Sequence, residues 1–270
     1  YLGQETMSKI KNVSSLKQEI RIWKSIESNF NLDLKDKNLY TNSGKDISVG
    51  KITSFFKLDS QIKGLAMLKR KKLVLATHNP HKEKEMMSLL SHMELDISGL
   101  GQFPEVGEIE ETGNTLHENA LIKARTVYKI TGNPSLADDT GLEVKALAGA
   151  PGVYSARYAG NNPSYEDNVK KLLEELVNTP REDRGAQFRT VMAFVDRDVE
   201  LYSEGVIKGE ITFIEKGNGG FGYDSVFQPY SKIVTFAELS EKEKNKISHR
   251  AIAAEKMKEI LESYLKKETI

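Results

Sequence analysis

The sequence contains no cysteine, which excludes a disulfide framework and any thiolate metal site and suits a reducing compartment such as the cytosol. No apolar run approaches the roughly 20 residues of a membrane-spanning helix. The opening stretch, YLGQETMSKIKN, is polar and lacks the apolar core and small-residue cleavage site of a secretory signal, so a cytoplasmic protein is expected. Nor does either sign of charge dominate: 39 Lys and Arg face 39 Asp and Glu. The positive field of a general polyanion binder is therefore missing. Internal repeats and low-complexity tracts are absent as well. What is there is a chain of 270 residues, 39% hydrophobic, enough for one large or two modest globular domains.

The charges are unevenly spread. Residues 1–70 carry 13 basic and 7 acidic side chains, leaving 26 and 32 for the rest. Two solvated surfaces account for this, with docking of one part on the other as the alternative. A boundary is expected near Leu68–Lys72. Before it, Ile10, Val13, Leu16, Ile20, Trp23, Ile26 and Phe30 recur at helical spacing, and Ile52, Phe55, Phe56 and Ile62 suggest a second helix after the turn signal TNSGK. Residues 1–70 are thus expected to form a mainly helical extension.

From residue 71 to 270 the texture is α/β with a mixed sheet. KLVLAT reads as a strand, and Met86, Leu89, Leu90 and Met93 as one face of a helix. A helix over Leu116–Ile130 has both boundary signals: Thr115 with Glu118 three residues on, and Gly132 at its end. A further helix near Tyr165–Val177, strands in QFRTVMAFVD, LYSEGVIKG and ITFI, and a last helix carrying Ile252, Met257, Ile260, Leu261 and Leu265 complete the reading.

Several stretches carry chemistry. LVLATHNPHKEKEM places Thr77, Asn79 and Lys82 beyond a strand and at a helix mouth, where free N–H groups attract anions; Thr and Asn there also serve as ordinary caps. His78 and His81 are spaced like a metal pair, yet with Pro80 between them and no further ligands they read as loop histidines. Glu118 has a complete explanation in the capping box and stands equally as a ligand. Glu111, in a glycine-containing loop ahead of Lys123, has no such structural excuse. In SLADDTGLEV two carboxylates adjoin on a strand, so Asp138 and Asp139 face opposite ways. One is expected to satisfy local donors, and Asp139, with Glu111, to hold a hard cation through oxygen.

KGNGGFGYDSVF has Gly217, Gly219 and Gly222 in dinucleotide spacing, but YDSVF is strand-like where a helix is required, which rejects the Rossmann reading. Glycines that admit a ligand, Phe221 for stacking and Asp224 for polar contact suit a base-binding loop. In SEKEKNKISHRAI, otherwise a solvated turn, Lys244, His249 and Arg250 gather ahead of the last helix.

Together, ATHNPHK, EETGNTLHENALIKA, LADDTGLEV, APGVYSARYAG, GGFGYDSVF and EKEKNKISHR, in this order, resemble the inosine triphosphate pyrophosphatases, the Ham1-like XTP/dITP diphosphatases. The resemblance runs from about Lys72 to the last helix. It implies a two-lobed α/β fold around a long mixed sheet, with the nucleotide in the cleft between lobes. It further implies a homodimer and Mg2+-dependent hydrolysis of ITP, dITP or XTP to the monophosphate and pyrophosphate, cleansing the nucleotide pool.

Carried over by position, Thr77, His78, Asn79, Pro80, His81 and Lys82 form the phosphate-binding loop, with Lys123 a further phosphate contact. Glu111 and Asp139 are the magnesium carboxylates, Asp139 also the proton acceptor, and Thr140 contacts substrate. Phe221, Gly222, Tyr223, Asp224, Lys244, His249 and Arg250 contact the nucleotide, chiefly its base. Thr140 stands for the family's usual serine, Leu116 for a common phenylalanine and Ser225 for a common proline. The first 70 residues exceed the usual domain, for which Met67 would be a conventional start. Two other readings are a Maf-like pyrophosphatase for modified pyrimidine nucleotides and a nucleotide-sensing module whose output is the N-terminal segment.

Overall fold

The computed structural model describes residues 18–24, 38–40, 48–58, 61–93 and 95–267. The chain divides into two compact units, residues 1–72 with 93–96 and 263–270, and residues 73–92 with 97–262.

The described residues before the boundary are strands, which corrects the expected helices. They are β1 (Gln18–Lys24), β2 (Asn38–Tyr40), β3 (Ser48–Leu58) and β4 (Gln61–Lys69), an antiparallel sheet in the order β1-β4-β3-β2. The physical reason is a period of two hidden inside the helical spacing. Ile20 and Ile22 flank Arg21, and β3 concentrates Val49, Ile52, Thr53, Phe55 and Phe56, the β-branched and aromatic types that suit a pleated surface. Leu58 then pairs with Gln61, so β3 and β4 form a hairpin. Ile10, Val13, Leu16, Ile26 and Phe30, and the TNSGK turn, lie outside the described residues.

The second sheet runs β11-β10-β9-β7-β5-β6 among the described residues, with β8 beside β7. Its strands are β5 (Lys71–Leu75), β6 (Leu95–Gly99), β7 (Ser135–Val144), β8 (Pro151–Gly152), β9 (Gly185–Asp196), β10 (Val199–Ile211) and β11 (Phe227–Pro229). β5 and β7 are parallel, whereas β7, β9, β10 and β11 pair antiparallel, which makes the sheet mixed. The helices are α1 (Pro80–Leu90), α2 (Leu116–Thr131), α3 (Tyr165–Glu175), α4 (Glu241–Ile247) and α5 (His249–Lys267). ITFI is not a strand of its own, since only Ile211 belongs to β10. YDSVF is turn up to Val226, and no helix follows the glycine run, as the rejected dinucleotide reading required.

α2 forms because both ends are closed. Thr115 accepts from the Glu118 backbone, the Glu118 carboxylate accepts from the Thr115 backbone, and left-handed Gly132 ends the last turn. Glu118 is therefore the third-position member of the capping box, with Thr115 as the cap. The buried face reads Leu116, Asn119, Ala120, Lys123, Ala124 and Val127, an apolar stripe interrupted by two polar residues one turn apart.

Two apolar clusters hold the second sheet, and the same strands feed both. Ala137 of β7 and Val191, Ala193 and Val195 of β9 pack with α2, whereas Leu142 and Val144 of β7 and Ala186 and Phe188 of β9 pack with α3, Phe227 and Phe236. These are the two lobes. Each fully buried Leu or Phe contributes about 1.5–3 kcal/mol. Between the clusters, β7 carries Asp138, Asp139 and Thr140, and β9 carries Thr190 opposite Thr140. On β7, polar residues thus occupy the stretch between the residues that feed the two clusters.

Close packing also sets α5. A Cβ on Gly205 of β10 would collide with the His249 carbonyl and the Ala253 backbone, so only glycine lets the helix start lie this near the sheet.

Candidate active site

Asp138 and Asp139 project from opposite faces of β7 into different surroundings, as the strand period dictates. Asp139 is 5% exposed. Its Oδ1 accepts from Lys123 Nζ at 2.9 Å and its Oδ2 from Asn119 Nδ2 at 3.4 Å, so the two polar residues of the buried α2 stripe both reach it. The same Lys123 ammonium donates to Glu111 Oε1 at 2.7 Å, and Arg157 lies 3.8 Å from Glu111 Oε2. The Glu111 loop, α2 and β7 thereby converge on one nitrogen.

Burial pushes the Asp139 carboxyl above the usual carboxylate range, against the pull of Lys123 and Lys82 and with help from the negative charge of Glu111. Glu111 lies below that range: burial would raise it, but the charge and hydrogen bond of Lys123 prevail. Lys123 is held protonated, because Asp139 and Glu111 outweigh the effect of its own burial.

Asp138 is fully buried. Its Oδ2 accepts from Arg250 Nε and Nη2, each at 3.0 Å, and lies 3.4 Å from Lys82 Nζ. Burial alone would raise this carboxyl, yet Lys82 and Arg250 carry it well below the ordinary range. Burial lowers the Lys82 ammonium in spite of Asp138. Thr140 Oγ1 completes the group, 3.2 Å from Asp138 Oδ2 and from Arg250 Nη2 and 2.7 Å from Thr190 Oγ1.

Arg250 has a second anion that sequence reasoning missed. Glu85, buried on α1, accepts from Arg250 Nη1 at 2.6 Å and lies 4.0 Å from Lys244 Nζ. It sits one turn beyond Lys82, on the side of Met86 and Leu90 that faces inward. That spacing was the available signal. Lys244 in turn donates to Asp224 Oδ2 at 2.7 Å, and Asp224 accepts from the Phe221 backbone at 2.9 Å. Lys244 Nζ stands 4.7 Å from the Phe221 ring centroid. An arginine, a lysine, two carboxylates and a ring from four segments therefore form one connected group.

Not every expected residue joins it by its side chain. Tyr223 is buried in the α3 cluster and donates to the Ser155 carbonyl at 2.9 Å. His249 is buried against Phe188, with centroids 4.5 Å apart, and burial together with the nearby Arg250 and Lys244 charges keeps it neutral well below the usual histidine range. Both support the site's wall. Asn79 caps α1, its Oδ1 accepting from the His81 and Lys82 backbones, with Pro80 in the first turn and Thr77 Oγ1 accepting from the Asn79 backbone. His78 is exposed, and Gly222 adopts φ +63°, a left-handed turn beside Phe221. Asn119, Arg157 and Tyr165, unremarked in the sequence, also belong to the neighbourhood.

Glu111 and Asp139 fit a hard divalent cation in one particular way. Two carboxylate oxygens already meet at one cationic point, as in sites that use one or two carboxylates plus substrate phosphates. Among the described residues no group of three or more His, Asp or Glu is arranged to hold a metal unaided. Phosphate oxygens would have to supply the rest.

Residues 73–260 match the Ham1 family. A dITP/XTP pyrophosphatase of Thermoanaerobacter pseudethanolicus is 49% identical over 187 residues, 69% of this chain and 94% of that protein. A protein of the same name from Porphyromonas gingivalis is 48% identical over 190 residues, 70% and 97% of the two. The structure of a HAM1 protein from Coxiella burnetii superposes with a TM-score of 0.66 at 43% identity, covering 72% of this chain and 99% of that one.

Proposed function

Since the chain belongs to the Ham1 family, we propose that it hydrolyses non-canonical purine nucleoside triphosphates, dITP, XTP and ITP, to the monophosphate and pyrophosphate with Mg2+. One observation carries this reading: Glu111 and Asp139 share the Lys123 ammonium at 2.7 and 2.9 Å, next to a second cationic group built on Lys82 and Arg250. Phosphoryl transfer needs little covalent work from a protein and much positioning and charge compensation. The arrangement has that form.

Lys82 and Lys123 offset charge on the phosphate chain. Asp139, its basicity raised by burial, accepts a proton from the attacking water. A magnesium ion held by Glu111 and Asp139 would supply further charge neutralisation when bound. Lys244 and Arg250 are donors, matched to the keto oxygen at purine position 6; the amino group of adenine would set a donor against donors in a buried site. The ring of Phe221 offers a stacking surface for the base. Removal of rogue purines from the nucleotide pool follows, and the homodimer and cytoplasmic setting implied by the resemblance belong to the same reading.

Pyrophosphate release from dITP, XTP, ITP, ATP, GTP and a modified pyrimidine triphosphate, with Mg2+ and with a chelator, tests it. Rapid release from the first three that ceases on chelation is expected. Equal turnover of ATP, or preference for the pyrimidine, would refute it, and sedimentation of the same sample checks the dimer.

A further inference from the structure

Asn79 has committed its carboxamide oxygen to its own helix, accepting from the His81 and Lys82 backbones at 3.0 and 3.3 Å. That fixes the amide's orientation, and Nδ2 is left to donate. It donates to Tyr165 Oη at 2.9 Å, across 86 residues of sequence. Tyr165 opens α3 directly after the Ser164 cap and is 37% exposed. Because its oxygen accepts from Asn79, its own proton remains to be donated, and among the described residues no acceptor takes it.

The ring makes a second connection. Tyr165 meets His81 edge-on at 6.2 Å and Phe221 at 6.0 Å, while His81 and Phe221 stack at 5.3 Å with 19° between planes. Phe221 stands between Gly220 and Gly222 at φ +72° and +63°, so its loop depends on two left-handed glycines. Three distant segments thus meet at a junction of rings beside Lys244 and Arg250, whose charges lie 4.7 and 5.6 Å from the Phe221 centroid. Core packing does not demand it: neither His81 nor Tyr165 belongs to the two apolar clusters.

We propose that Tyr165 is a substrate-positioning residue: it ties Asn79 and His81 to the Phe221 loop and offers its remaining hydroxyl proton to the phosphate chain of the bound nucleotide. This rests on the nucleoside triphosphate reading above. A neutral phenol suits the task, since a hydrogen bond to an anionic oxygen is stronger than one between neutral groups. Present equally before and during phosphoryl transfer, the contact is felt in KM and not in kcat.

The test uses the full chain as wild type, Y165F and Y165A. It measures pyrophosphate release from dITP, titration with the non-hydrolysable α,β-methylene analogue of dITP, and thermal melting. Y165F is expected to raise KM and the analogue Kd about three- to tenfold with kcat within about twofold. Y165A, which also loses the ring, should exceed that with the same melting midpoint. Wild-type KM and Kd in both variants would overturn the proposal, and so would a fall in kcat that tracks a fall in melting temperature. A wild type that binds the analogue but releases no pyrophosphate ends the hydrolytic reading, while the ratio of Kd values still decides on Tyr165. A wild type that binds no analogue ends both.

Discussion

Asp138 and Asp139 are neighbours on one strand, yet they belong to two different kinds of polar network. Around Asp138 the partners are mostly buried and cationic: Arg250 bridges its Oδ2 to Glu85, Lys82 lies alongside, and Thr140 and Thr190 close the edge, while Asp138 Oδ1 has no hydrogen-bond partner among the described residues. Around Asp139, Lys123 is shared between two carboxylates, with Asn119 also donating to Asp139 and Arg157 lying 3.8 Å from Glu111, and Glu111 and Arg157 remain partly exposed. The first arrangement gives a fixed frame. The second leaves Glu111 and Arg157 partly open to solvent, and burial pushes the Asp139 carboxyl above its ordinary range. Alternation along a strand suffices to separate frame from chemistry within two residues.

The contrast can be broken, beginning with the largest effect. Asp139→Asn should lower pyrophosphate release about a thousandfold, in the range of a lost general base, with the melting temperature nearly unchanged. An unaltered rate in the Asn variant would remove Asp139 from the chemistry. Arg250→Ala should in addition destabilise the fold, by about 3–5 kcal/mol in denaturant titration, because it removes the shared partner of the buried Asp138 and Glu85 charges. A loss below about 1 kcal/mol would show that the frame is not one.

A subtler break uses pH. His249 is neutral in the fold well below its ordinary value of about 6.5. As pH falls below that value the unfolded chain binds the proton first, so stability declines on acidification and is whole above it. His249→Phe should flatten the dependence of unfolding free energy between about pH 6.5 and 5, while an unchanged slope would place its origin elsewhere. Smallest, Thr115→Ala should cost about 1 kcal/mol at the α2 cap. If it also impairs turnover, α2 delivers Lys123 through its cap, and the networks are coupled.

Much of this was legible in the sequence, for reasons that particular residues make plain. α2 carried its own start and stop signals, and the aspartate pair announced two environments because a strand has two faces. The failures are equally specific. QEIRIWK supports periods of 2 and 3.6 together, and only its pairing with β4 decides for the strand. Glu85 lies in the charged run HKEKEM, and the partner that holds its carboxylate in the interior, Arg250, comes 165 residues later. The packing partners of Tyr223 and His249, Ser155 and Phe188, come from far along the chain and leave no local mark. Local pattern reports an element's faces. It does not report what another element brings to them.

One such supply line runs through a residue with no side chain. Gly205 sets how near the first turn of α5 comes to β10, and the guanidinium of Arg250 leaves that turn. A single added methyl there would shove the arginine's root outward, far from any substrate atom. The position of Arg250 is thus gauged by an omission on the sheet, and variants that shift it are to be sought in the scaffold as well as among the groups it touches.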